Sequence, residues 1–107
     1  MTTEQEVNRA RLEMQQELRK INRETINALV PELNKQTLKP LFELVAKARG
    51  LYIKKLLELA SGSGTMPTDE QVRELHLLRL SYEELLSGGQ MIETAIERGY
   101  VDVGGKG

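Results

Sequence analysis

The sequence predicts an all-α fold, on three observations. Two threonine-led segments have the form of helix-start capping boxes. Apolar residues recur at alternating steps of three and four. Proline and glycine fall where those stripes would have to stop. The expected architecture is a bundle of three helices, or four if the last one breaks, within a single domain of 107 residues. It reads as helix 3–30, connector 31–38, helix 39–60, flexible linker 61–66, helix 68–98 and tail 99–107.

The first helix opens at Thr3-Glu4-Gln5-Glu6, where a threonine oxygen can accept from an orphan amide and an acid three residues on can return the bond. Val7, Ala10, Met14, Leu18, Ile21, Thr25 and Ala28 then keep to one side. Charges occupy the remaining faces: Arg9, Arg11, Glu13, Glu17, Arg19, Lys20, Arg23 and Glu24. So thin a seam suits packing on another helix, including that of a second chain, better than deep burial. Pro31 cannot continue the helix without losing a backbone bond, so an end or a kink is expected near Leu29.

In the second helix Thr37 or Lys39 can serve as the cap, with Pro40 in the first turn. From Leu41 to Ala60 more than one face is apolar, which predicts the centre of the core, contacted from at least two sides. Its stripe runs through Leu41, Val45, Ala48, Tyr52, Leu56 and Leu59 without slipping phase at Gly50, so one buried helix with a glycine at a close contact accounts for the pattern.

The glycine-rich stretch "SGSGT" at 61–65 reads as a flexible linker. Thr68-Asp69-Glu70-Gln71 then repeats the capping-box form, and Val72, Leu75, Leu78, Tyr82 and Leu85 make the stripe of the third helix. Gly88-Gly89 should end that helix by propensity, yet the stripe continues in phase to Ile92 and Ile96, so a helix kinked at the glycines is the alternative. Gly99 stands where a C-terminal cap belongs, Tyr100–Val103 form a short tail able to pack, and "GGKG" at the end should fray. Across the linker, the second and third helices are expected to pair as an antiparallel hairpin.

Composition narrows the function. There is no cysteine, which excludes a disulfide scaffold, a thiolate metal site and a cysteine nucleophile. No stretch approaches the about 18 apolar residues of a membrane span. The opening "MTTEQEVNRARLE" lacks the polarity of a signal peptide, so a cytoplasmic location away from membranes is expected. The net charge of −1 conceals an asymmetry: residues 1–60 carry +3 and residues 61–107 carry −4. Most of the positive excess lies at Lys35, Lys39, Lys47, Arg49, Lys54 and Lys55, opposed only by Glu43 between positions 35 and 55. Such a cluster can attract a polyanion or pair with the acidic C-terminal half.

Enzyme chemistry finds little to work with. The single histidine, His76, has Arg73, Val72, Arg79 and Leu80 at its helical neighbours and no carboxylate to orient it. Glu93 and Glu97 lie one turn apart, but a bundle metal site also needs histidines and further carboxylates. No glycine stretch follows a strand or carries the lysine of a phosphate loop. No catalytic residue, metal, cofactor or small-molecule substrate is expected.

One segment bears a partial likeness. "LVAKARGLYIKKLLELA" at 44–60 resembles the helix–turn–helix of bacterial transcription regulators, with Ala46 four residues before Gly50 and Leu51 and Leu56 after it. It also resembles the corner between the two helices of ribbon-helix-helix repressors and plasmid mobilisation proteins. The likeness spans about 20 residues and implies DNA binding, with Lys47, Arg49, Lys54 and Lys55 as the polyanion patch. Arg49 stands where a helix–turn–helix carries an apolar residue, and Tyr52 and Ile53 where it offers polar base readers. No alternating strand precedes the segment, as a ribbon-helix-helix requires.

The leading functional expectation is therefore a non-enzymatic helical interaction module: a small adaptor, assembly or accessory protein. It would act through a protein partner or as a homodimer, with Val7, Met14, Leu18 and Ile21 as contact residues. A DNA-binding accessory regulator is the alternative.

Overall fold

The computed structural model describes residues 1–62 and 64–104. Three α-helices carry the chain: α1 (Glu4–Leu29), α2 (Lys35–Ala60) and α3 (Asp69–Glu97). There are no strands among the described residues, only an isolated parallel bridge between Leu33 and Val103. The chain folds as two compact units, one of Met1–Lys35 with Glu93–Gly107 and one of Gln36–Ile92.

Both capping boxes close. Thr3 Oγ1 accepts from the Glu6 amide at 3.1 Å while the Thr3 amide donates to Glu6 Oε2 at 3.4 Å. Thr68 and Gln71 exchange the same pair of bonds, at 3.2 and 2.9 Å. Each box satisfies two amides that the first turn would otherwise leave without partners, and acids in both first turns meet the positive end of the helix dipole.

In the first unit, α1 stops at Leu29, two residues short of Pro31. The end of α3 is closed by a Schellman cap: the Gly99 amide donates to Ile96 O at 3.0 Å and the Tyr100 amide to Ala95 O at 2.8 Å. The geometry needs a left-handed residue at the turn, and Gly99 supplies it with φ of 73°. The tail that follows packs. Leu33 donates its amide to Asp102 O at 2.9 Å and accepts from the Gly104 amide at 2.6 Å, and Val101 is buried with 6% of its surface exposed. Arg23 closes the arrangement from α1, its two terminal nitrogens donating to Gly99 O at 2.6 Å and to Asp102 Oδ1 at 2.8 Å. The fraying expected of the last four residues concerns mostly positions 105–107, which lie outside the described residues; Gly104 is held by its bond to Leu33.

The second unit is a helical hairpin. Arg49 of α2 meets Tyr82 of α3, and Lys55 meets Glu74 at 3.1 Å, so numbers that rise along one helix fall along the other and the pair is antiparallel. On α2 the half-buried and buried residues are Leu38, Leu41, Val45, Ala48, Tyr52, Lys55 and Leu59. On α3 they include Gln71, Leu75, Leu78, Tyr82, Leu85, Gly89 and Ile92. Both sets step by three and four, the spacing of a coiled-coil seam.

Four sequence expectations change here. First, α2 starts at Lys35 rather than near position 39, so Pro40 lies inside the helix and not in its first turn. It lies past the amides that a helix start leaves without partners, so its missing N–H costs one helical bond, the one to the carbonyl of Gln36. Second, α2 is not a core helix contacted from two sides. Ala48 is its one buried residue, because within this unit only α3 packs on it. Third, Leu56 and Val72 leave the seams and are exposed, their places taken by Lys55 and Gln71. Fourth, Gly50 makes no close contact: a Cβ there would meet nothing within 4 Å.

The helix is nevertheless continuous through Gly50. Likewise α3 runs unbroken through Gly88 and Gly89, which leaves three helices and not four among the described residues. Ser63, in the middle of the expected linker, lies outside the described residues.

Candidate interaction surfaces

On α1 the predicted contact residues occupy one exposed stripe. No residue from Met1 to Ile21 is even half-buried. Met14 is 65% exposed and Leu18 55%, and Val7 and Ile21 are similarly open. Helical spacing aligns these four, with Ala10 between them. Leu18 also lines a shallow depression with Gln15, Arg19, Arg98 and Tyr100, where the packed tail reaches α1.

The four residues of the predicted polyanion patch do not form one surface. Lys47 and Lys54 are seven positions apart, share a line along α2, and are exposed. Arg49 is turned towards α3: Nε and one terminal nitrogen donate to the Tyr82 hydroxyl, and the guanidinium lies 5.1 Å from the ring centroid. Lys55 sits in the seam, its side chain 28% exposed, and pairs with Glu74. Arg49 and Lys55 thus hold the hairpin together from opposite sides of its seam. Of these four residues, Lys55 is the one that finds the acidic partner expected in the C-terminal half.

The corner required by a helix–turn–helix or ribbon-helix-helix is absent from residues 41–60, because α2 is helical throughout that range. The spacing argument detects a break only as a phase slip, and the stripe has none at Gly50. Mid-helix glycine weakens a helix by about 1 kcal/mol against alanine and does not by itself turn it.

His76 is exposed and lies 3.4 Å from an Arg79 nitrogen. With Tyr52, Val72, Leu75 and Arg79 it lines a shallow depression on the hairpin. Among the described residues no group of three or more His, Cys, Asp or Glu is placed to hold a metal, and no helix is long and apolar enough to cross a membrane.

Two features escape the sequence pattern or are misread from it. The Arg23–Asp102 fork joins positions 79 apart, beyond the reach of any periodicity. The second lies on α2, where Phe42, Ala46, Arg49, Ile53, Leu56 and Ala60 step by four and three as regularly as the seam does, and are all exposed. That stripe is readable, but an apolar surplus on a helix is first taken as core. The chain matches no protein family, no curated protein and no solved structure among those compared.

Proposed function

We propose that this chain is a non-enzymatic helical interaction module, a small adaptor, assembly or accessory protein that works through helix–helix contacts and self-associates through α1. The carrying observation is the bare N-terminal stretch: Met1 to Ile21 is exposed at every residue, although Val7, Met14, Leu18 and Ile21 keep an apolar stripe at helical spacing. A single helix gains little stability in water from its own hydrogen bonds, and an amphipathic one draws most of its stability from what covers its apolar side. A second helix laid on this stripe supplies that cover.

Sedimentation velocity on the whole chain tests the reading. The native chain is expected to associate, and Met14→Glu with Leu18→Glu is expected to weaken association about 100-fold, or about 3 kcal/mol. A native chain that sediments as a monomer at every concentration sinks the self-association reading. Titration with duplex DNA at two salt concentrations provides the opposing test. Binding that falls with salt and is lost in Lys47→Glu with Lys54→Glu would replace this reading with the regulator.

A further inference from the structure

We infer that the shallow depression beside Leu18 is the seat for the acidic flank of α1 from a second copy of this chain, and that this seating makes the two α1 helices run parallel. The inference rests on the self-association proposed above and names the charges that orient it.

The two flanks of the α1 stripe differ. At about 3.6 residues per turn, Glu17 and Arg11 stand about 60° to either side of Met14. The flank on the Glu17 side carries Glu6, Glu13, Glu17 and Glu24, with Lys20 at its outer edge, a net −3. The flank on the other side carries Arg11 and Arg19 against Glu4, and it is the side that holds the tail, since Gln15, Leu18 and Arg19 line the depression with Arg98 and Tyr100. Arg98 brings that flank to a net +2. None of these charges takes part in an ion pair among the described residues. The arginines and the glutamates lie at similar heights but on opposite sides of one helix. Only a second helix laid on the stripe can bring such groups together.

Symmetry decides the direction. In an antiparallel pair the two-fold axis crosses the helices and sets each flank against its own copy, so that Glu13 and Glu17 meet the same acids and Arg11 meets Arg98. In a parallel pair the axis runs along the helices, and the acidic flank of each lies over the depression of the other. Val7, Met14, Leu18 and Ile21 then each meet their own copies along the axis. The two Arg11 side chains leave on opposite sides of the pair, each over glutamates of its partner, so like charges are kept apart. Complementary flanks of this kind set the partner and its orientation more than the strength of the contact.

The absence of cysteine permits a direct test by cross-linking in the full chain. One preparation carries Val7→Cys and another, enlarged by a tag, carries Ile21→Cys; the two are mixed and treated with a short thiol cross-linker. Both substitutions fall on exposed residues. The expected products are the two like pairs, because in a parallel pair Val7 and Ile21 are about 21 Å apart along the axis. A preference for the mixed pair overturns the parallel seating and leaves self-association through α1 standing. Absence of any linked dimer overturns both.

A charge exchange tests the depression itself. One variant carries Arg11→Glu with Arg98→Glu, and a second carries Glu13→Arg with Glu17→Arg. Each alone is expected to associate about 10-fold more weakly than the native chain in sedimentation, less so as salt is added. Mixed, they restore opposite charges on both sides of the pair, and association is expected to return towards the native value. Native-like association of either variant alone, or a mixture no tighter than its components, overturns the inference.

Discussion

The hairpin and the clasp formed by Arg23, Leu33 and the 99–104 tail are held by different physics. The hairpin is a long seam of side chains at regular spacing, in which Ala48 is buried and Arg49 and Lys55 tie the two helices from either side. The clasp is short and irregular, made of backbone bonds between Leu33, Asp102 and Gly104, one cationic fork and one buried valine. A seam distributes its stability over many positions, so most single changes there should be tolerated. A clasp concentrates it, so its few residues should each matter locally.

Five substitutions, two glycines among them taken as a pair, test that contrast, from the largest effect to the smallest. Val101→Asp buries a charge without a partner and should cost about 3 kcal/mol. Hydrogen exchange should show residues 26–33 and 99–104 opening while the hairpin stays protected, and a uniform loss of protection would deny the clasp its separate identity. Ala48→Leu forces three extra carbons into the one buried position of α2, at a cost of about 2 kcal/mol read from thermal unfolding. A neutral result would mean that the seam can spread there.

Third, paired glycine substitutions should have opposite signs. Gly99→Ala strains a left-handed cap and should destabilise by about 1 kcal/mol. Gly50→Ala meets no neighbouring atom and should stabilise by up to about 1 kcal/mol in denaturant titrations. Loss of stability at Gly50 would place another helix against it. Smallest is Arg23→Ala: Arg23 and its partner Asp102 are both about half exposed, and about 0.5–1 kcal/mol is expected, shrinking as salt is added. No salt dependence would identify the bond to Gly99 O as the main contribution.

The same contrast explains what is legible in the sequence. Thr3 and Thr68 can be read as helix starts because a capping box is a local bond pattern, complete within four residues. Leu75, Leu78, Tyr82 and Leu85 can be read as a seam because a helix repeats its faces. Periodicity says which residues share a face but not whether anything lies on it, so α2 looks like a core helix although only α3 covers it within the hairpin. Lys55 reads as one member of an open patch, since spacing alone does not reveal a lysine that lays its stem in a seam and keeps its ammonium on Glu74. The contact stripe of Val7, Met14, Leu18 and Ile21 can be placed on α1, and its exposure is what the structure adds. Arg23 and Asp102 carry no signal of pairing, since each is an ordinary charge until the chain between them has folded.

That intervening chain gives the clasp a place in time. Arg23 and Asp102 are 79 positions apart, whereas Arg49 and Tyr82 are 33 apart. Closing the longer loop directly would cost about 0.8 kcal/mol more in chain entropy. Once the hairpin has formed, its register sets Leu38 beside Ile92, and the segments that flank them are brought close at no further cost. The hairpin should therefore zip first and the tail dock afterwards, which makes the packed tail a late step in folding and the first structure released when the chain begins to unfold.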